Sequence, residues 1–225
     1  MMRRTSAMGL LLIAVLAVGI AAAGSASAAK EKLVVKLSTA AGPLVAGQEI
    51  RASSSDLVTV TSAGNLECSS NVLTGTLTIN NAVKDKGSIT SEASTGEEGG
   101  GACHTTTVLG PAVISATGFP WPLELTTKKQ MTLKGTKKVI FTATFPAAGG
   151  AKCILEGSKI ANNAVTGATS TYTIGAAGSP VAVEITVAKQ LFKLGKGSNA
   201  ACPKTAELSG HFTMTSHGET VLAQL

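Results

Sequence analysis

Short segments in which apolar and polar residues alternate recur along most of the chain. They occupy residues 58–61, 73–79, 123–126, 139–145, 171–174, 181–187 and 208–215, and each is bounded by Gly, Pro, Asn or Ser. Alternation with a period of two and abundant Thr and Val is typical of antiparallel strands. Beyond residue 28 no stretch carries a helical apolar stripe. The pattern predicts an all-β fold built of antiparallel sandwich-like or barrel-like units.

The N-terminus has a different pattern, which indicates export. Arg3 and Arg4 precede an apolar run over residues 8–23, and small residues follow at 24–29. This order is that of a cleavable secretory signal peptide, with cleavage expected after Ala28. The rival interpretation is a transmembrane anchor, but the apolar run is shorter than the roughly 18 to 20 residues that cross a bilayer. We therefore expect residues 1–28 to be removed, no transmembrane anchor to remain, and the product to be secreted and extracellular.

Composition narrows the range of partners. Loss of Arg3 and Arg4 lowers the formal charge from +6 to +4, and every remaining basic residue except Arg51 is Lys. Lysine lacks the planar fork with which Arg binds phosphates and bases, so nucleic acid is not an expected partner. Aromatic residues make up 3% of the chain, which predicts a core of Val, Leu, Ile, Ala and Thr.

A repeated motif suggests internal duplication. The pattern L-x-G-[ST]-x-x-x-N-N-A-V occurs at residues 73–83 and 155–165, and A-G-x-x-x-C precedes each copy. The alternative is coincidence in a chain rich in Ala, Gly and Thr. A true repeat predicts two β units in tandem, at residues 29–118 and 119–225, joined near two prolines that interrupt strand pairing. Whether the two units keep separate sheets or merge into one is left open.

The four cysteines are expected to form two disulfides. None lies in a C-x-x-C pair, and their wide spacing does not suit a metal site. Four cysteines allow three pairings, and spacing alone does not choose among them. If the repeat is real, equivalent bridges join Cys68 to Cys103 in the first unit and Cys153 to Cys202 in the second.

Four stretches carry a resemblance to known sequences, at residues 64–68, 121–127, 137–145 and 194–203. In these stretches the chain resembles uncharacterised exported proteins of soil actinobacteria. The resemblance covers most of the chain after the signal peptide. It implies secretion and supplies no activity, ligand or site residues.

Candidate catalytic groups are few. The histidines are His104, His211 and His217, and no nucleophile-elbow, zinc-protease or phosphate-loop motif is present. A glycosidase pair drawn from the acidic residues is conceivable, namely from Glu92, Glu97, Glu98, Glu124 or Glu184. The sequence favours a non-enzymatic protein without a metal or cofactor, acting by binding or structural association. The alternatives are a secreted hydrolase with a scattered site and a β-barrel carrier of an apolar ligand.

One basic run stands out on the predicted surface. Five lysines lie within eleven residues, at Lys128, Lys129, Lys134, Lys137 and Lys138, on a predicted hairpin. Lysines on an edge strand commonly prevent aggregation between sheets. As a functional alternative, the run predicts contact with an anionic cell-wall polymer. Another surface protein is the other partner considered, and the sequence does not determine the oligomeric state.

Overall fold

The computed structural model describes residues 34–80, 82–96, 101–133, 139–157 and 170–225. These residues form nineteen β-strands and include a 3-10 turn, Pro146–Ala148, and no α-helix occurs among them. In chain order the strands are β1 (Lys36–Thr39), β2 (Gly42–Pro43), β3 (Glu49–Ser54), β4 (Leu57–Thr61), β5 (Gly64–Cys68), β6 (Ser70–Ile79), β7 (Lys84–Thr95), β8 (His104–Thr105), β9 (Val113–Thr117), β10 (Trp121–Thr126), β11 (Gln130–Leu133), β12 (Val139–Phe145), β13 (Ala151–Gly157), β14 (Ser170–Tyr172), β15 (Val181–Ala182), β16 (Glu184–Leu194), β17 (Thr205–Ser216), β18 (Glu219–Thr220) and β19 (Leu222–Gln224). The predicted all-β class is confirmed. Six of the seven alternating segments lie largely on strands, and half of residues 171–174 lie on β14.

Eight of these strands close into an antiparallel barrel. The order around the ring is β17, β3, β6, β7, β10, β11, β14 and β16, and β16 pairs back with β17. Most inward positions are apolar, as Trp121, Leu123 and Leu125 show on β10, where each is at most 3% exposed. Closure removes the free edges that an open sheet would expose.

Two groups of strands extend the sheet beyond the barrel. One half of β17 pairs with β4, which continues to β5 and β8, and we call these three strands the first wing. The end of β16 pairs with β13, which continues to β12 and β9, the second wing. An antiparallel bridge between Cys103 and Ala112 joins the segments that lead into β8 and β9. The outer edges of the two wings therefore meet.

A small second sheet packs against one end of the barrel. Its strand order is β15, β19, β1 and β2. Leu37, Val221 and Ala223 are at most 1% exposed and belong to the same apolar cluster as the barrel interior. The Asn80 amide, at the end of β6, donates to the carbonyls of Leu37 and Leu44 and accepts from the Leu37 N–H. The small sheet thus covers the end of the barrel at which β6 ends and β16 begins.

The strand pairing shows how the two predicted units, residues 29–118 and 119–225, are arranged. Residues 33–225 form one compact unit. β17 pairs with β3 and β4 from the first predicted unit and with β16 from the second, so a single sheet crosses the proposed boundary after residue 118. Of the two arrangements that the sequence left open, the structure has the merged one. The second copy of the repeated motif lies mostly at residues 158–165, outside the described residues.

Two β-bulges change which residues face the barrel interior. On β7 the pairing register with β6 shifts after Ile89, so that Glu92 and Ser94 take the inward positions that Ser91 and Ala93 would otherwise hold. On β16 the register with β17 shifts between Val187 and Gln190. A bulge adds one residue to a strand and so reverses its alternation beyond that point. The bulge on β16 turns Lys189 outward and Gln190 inward, and Lys189 has a left-handed φ of 48°.

Gly75 on β6 lies beside the β7 bulge, and its lack of a side chain is required there. A Cβ atom at this position would lie 2.2 Å from the Ser88 carbonyl oxygen, well inside van der Waals contact. We expect Gly75→Ala to destabilise the fold by about 1 to 3 kcal/mol, the usual cost of overpacking, measured by urea unfolding. Thr78→Ala, at an exposed position of the same strand, is the control and should change stability by less than about 0.5 kcal/mol. Equal stability of the two variants would show that β6 and β7 do not approach this closely.

Candidate functional site: the barrel cavity

The barrel encloses an apolar cavity of about 60 Å³. Fourteen of the eighteen residues around it are apolar, and its walls include Trp121, Leu123, Met131, Ile185, Phe212 and Met214. Four residues with polar side chains complete the lining: Asn71, Glu92, Ser170 and Gln190. A site for one water molecule needs roughly 10 to 15 Å³ by this measure, so the cavity has room for a molecule of several non-hydrogen atoms. We call it the barrel cavity.

Two smaller cavities continue from the barrel cavity into the space between the wings. The second, of about 40 Å³, shares Leu57, Phe141 and Leu208 with the barrel cavity. The third, of about 50 Å³, shares Leu66 and Leu155 with the second. Because successive cavities share lining side chains, rotamer changes of these side chains would lengthen the apolar space.

Gln190 is the most deeply buried polar residue of the barrel cavity. Its side chain is 1% exposed. Among the described residues, no group donates a hydrogen bond to its Oε1 atom. Burial of an amide without a hydrogen-bond partner costs about 1 to 3 kcal/mol by mutational measures. The β16 bulge therefore directs a polar atom into an apolar space where nothing described satisfies it.

Glu92 enters the same cavity from the far side. In the ring of eight strands β7 lies four positions from β16, so Glu92 and Gln190 stand on opposite walls. The Oε1 atom of Glu92 is hydrogen-bonded to the Ser94 hydroxyl. Its Oε2 atom is buried and, within the described part of the chain, has no hydrogen-bond partner.

Burial and the two contacts of the Ser94 hydroxyl favour the protonated form of Glu92. Asn71 donates its amide N–H to the Cys68 carbonyl, which turns Asn71 Oδ1 toward Ser94, and the Ser94 hydroxyl lies 2.8 Å from that oxygen. A hydroxyl has one proton, so if Ser94 donates it to Asn71, the contact with Glu92 needs a proton on the carboxyl. Burial acts in the same direction because it raises the pKa of Glu92 above its ordinary value, although the Ser94 hydroxyl lowers it in part.

The histidines lie away from the barrel cavity. The Nδ1 atom of His211 is 2.7 Å from Asp56 Oδ2, and the His211 N–H donates to Asp56 Oδ1. Burial is the largest single influence on the pKa of Asp56 and raises it, but these bonds, one from Ser54 and the charge of His211 together lower the pKa overall. The pair is on the surface, with side-chain exposures of 68% for His211 and 51% for Asp56. No other described residue is hydrogen-bonded to the imidazole, and the hydroxyl bonded to the pair, that of Ser54, donates to Asp56 Oδ1.

The acidic residues considered as a glycosidase pair do not converge in the described structure. Glu124 faces outward on β10 and forms an ion pair of 3.6 Å with Lys84, and Glu184 is exposed on β16. Glu97 and Glu98 lie outside the described residues. Of the described members of the set, Glu92 alone lines the barrel cavity. No three His, Cys, Asp or Glu side chains of the described residues are grouped so as to hold a metal ion.

The basic run falls only partly within the described structure. Lys128 and Lys129 are exposed at the turn between β10 and β11, and Lys129 has a left-handed φ of 59°. Lys134, Lys137 and Lys138 lie outside the described residues. Contact of this run with an anionic polymer stays a prediction.

Both disulfides have the predicted pairing. Cys68 is bonded to Cys103, and Cys153 to Cys202. The first bridge ties β5 to the segment before β8 in the first wing, and the second ties β13 to the segment before β17. Such bonds persist outside the reducing cytoplasm, so they indicate a non-cytoplasmic environment. Among the described residues, no helix is long and apolar enough to cross a membrane.

Sequence reasoning missed Gln190 and named Glu92 only as one of several acidic residues. A signal was present, because each is a polar residue just after a point where strand alternation fails. Alternation alone does not distinguish a bulge from the end of a strand, so the inward direction of these side chains became visible only in the fold. Comparison of the chain with protein-family models, with curated proteins and with solved structures gave no match.

Proposed function

We propose that this is a secreted, non-enzymatic binding protein whose barrel cavity takes up an apolar small molecule. The observation that carries the proposal is an apolar cavity inside a closed eight-stranded barrel. Barrels of this size either fill completely with side chains or leave room for one small ligand. Apolar cavities lined by a few polar groups are also the usual form of small-molecule sites.

Two further features support binding rather than catalysis. The barrel cavity contains one carboxyl group and no histidine, whereas acid–base chemistry on a bound substrate ordinarily needs positioned groups within hydrogen-bond reach of it. The predicted signal peptide and the two disulfides fit a protein that works outside the cell, where an apolar molecule would need protection from water.

The single tryptophan of the chain provides a direct test. Trp121 is the only tryptophan in the sequence and lines the barrel cavity. Titration of the oxidised protein, without its signal peptide, with cyclohexane should shift the tryptophan emission saturably and raise the melting temperature, because a ligand that binds only the folded state stabilises it.

A variant that fills the cavity should abolish the response. Ala52 lies on the cavity wall and is buried, so Ala52→Leu places additional methyl groups inside it. Ala93→Leu is the matched control, since Ala93 is exposed on β7. If Ala52→Leu does not fold, Val187→Ile serves as the second filling variant. An unchanged emission spectrum in the wild type, or an equal response in Ala52→Leu and Ala93→Leu, would overturn the proposal.

A further inference from the structure

The two unpartnered oxygens define the chemistry of the ligand more closely. Gln190 Oε1 is an acceptor by nature, and Glu92 Oε2 is an acceptor both in the carboxylate and in a carboxyl group that holds its proton on Oε1, beside Ser94. Gln190 and Glu92 both belong to the lining of the barrel cavity, and both oxygens are buried. A ligand that leaves them unsatisfied gains only apolar contacts, whereas a ligand that donates to one of them also recovers the cost of its burial.

We propose that the ligand is an uncharged, apolar molecule with a hydrogen-bond donor, of which an alcohol is the simplest kind, and that the donor binds Gln190 Oε1 or Glu92 Oε2. This inference rests on the proposed function of the barrel cavity. The two bulges are the structural reason for it, because each brings a polar side chain to the cavity lining, Glu92 on β7 and Gln190 on β16. Bulges that re-aim a side chain in this way are common beside functional sites.

Gln190 Oε1 and Glu92 Oε2 also disfavour charged ligands. A carboxylate or phosphate would bring further acceptors toward two acceptor oxygens, with no described cation on the cavity lining to offset its burial. An alkylammonium group could donate, but it would place a charge in an apolar space and would need Glu92 to ionise there. An alcohol satisfies the acceptors without burying a charge.

The opposite placement of the two residues adds a constraint on shape. Gln190 and Glu92 lie on facing walls, so a molecule with one donor binds one of them and its apolar body fills the space toward the other. A molecule with donors at both ends would satisfy both oxygens. The barrel cavity alone, at about 60 Å³, is smaller than the roughly 150 Å³ of a cavity that holds benzene. A ring of the size of cyclohexanol therefore enters only with rotamer changes that open the barrel cavity toward the two neighbouring cavities.

Calorimetric titration with three molecules of similar shape tests the inference: cyclohexanol, cyclohexanone and methylcyclohexane. Cyclohexanol can donate, cyclohexanone can only accept, and methylcyclohexane does neither. Gln190→Leu or Glu92→Leu, whichever removes the oxygen that binds the hydroxyl, should weaken cyclohexanol binding by about 3- to 10-fold, the loss expected for one hydrogen bond. Binding of methylcyclohexane should be unchanged or tighter.

Three control variants separate a specific contact from general damage. Glu92→Gln keeps a carbonyl oxygen and should retain cyclohexanol affinity within about twofold. Ser91→Ala changes an exposed residue of the same strand and should leave all three affinities unchanged. If Gln190→Leu does not fold, Gln190→Met removes the same oxygen with a more adaptable side chain.

The outcomes distinguish this inference from the function on which it rests. If cyclohexanone binds the wild type as tightly as cyclohexanol, or if neither leucine variant weakens cyclohexanol more than methylcyclohexane, the donor-bearing ligand is wrong while the apolar site stands. If none of the three molecules binds the wild type, the proposed function fails with it.

Discussion

Replacement of Trp121 by alanine is expected to destabilise the protein by about 3 to 5 kcal/mol, the range for removal of a large buried aromatic side chain. The indole is 2% exposed, and its N–H donates to the Thr117 carbonyl at 3.2 Å. It stacks on Phe119 with ring centroids 4.3 Å apart and meets the edge of Phe141 at 5.6 Å. In a chain with seven aromatic residues, this group is a large share of the aromatic packing.

The expected loss should be measured by urea unfolding followed by circular dichroism, since the variant lacks the tryptophan signal. Trp121→Phe is the matched control because it keeps an apolar ring and removes the hydrogen bond to Thr117. We expect it to cost less than half as much as Trp121→Ala. A loss below about 1 kcal/mol for Trp121→Ala would contradict the packing of this ring between Phe119 and Phe141.

The outward and inward faces of most strands could be predicted from the sequence, but the neighbours of each strand could not. Alternation over residues 208–215 correctly places Phe212 and Met214 on the buried face of β17. The same pattern does not reveal that β17 pairs with β3, β4 and β16 at different points of its length. The pairing of strands that are distant in sequence depends on tertiary packing. Period-two alternation predicts which face of a strand is buried, but it does not predict which strands are its neighbours.

β7 was not recognised as a strand, for a physical reason. Its residues 84–95 are mostly charged or small and polar, and the bulge after Ile89 reverses which face is buried. The continuation of β16 beyond Val187 was missed for the same reason, since the alternation breaks at Lys189. The candidate site lies where these two irregularities meet the barrel interior. The two bulges that turn polar side chains into the barrel cavity therefore also break the alternation by which these strands could be recognised in the sequence.

The disulfide pairing could be inferred because the repeated motif restricts three possible pairings to one. Each bridge closes a long loop, with cysteines separated by 35 residues in Cys68–Cys103 and 49 residues in Cys153–Cys202. The entropy that such cross-links remove from the unfolded chain depends weakly on loop length. The resulting stabilisation free energy is about 4 kcal/mol for either bridge, and the two bridges differ by only about 0.3 kcal/mol.

Removal of one bridge by paired alanine substitutions should therefore destabilise the protein by about 4 kcal/mol, nearly equally for Cys68→Ala with Cys103→Ala and for Cys153→Ala with Cys202→Ala. Alanine is preferred to serine because all four cysteines are buried, at 8% exposure or less, and a hydroxyl there would need a new partner. Since whole domains are stable by about 5 to 15 kcal/mol, loss of both bridges should leave little or no folded protein at 37 °C. Denaturant unfolding of the oxidised wild type and of the two paired variants measures these losses of stability, and the reduced wild type serves as the reference for loss of both bridges.

If removal of the Cys153–Cys202 bridge cost several kcal/mol more than removal of the Cys68–Cys103 bridge, unfolded-chain entropy would not account for the difference. Packing of Cys153 and Cys202 in the small apolar cluster with Ala143 and Phe145 would then be the main contribution of that bridge.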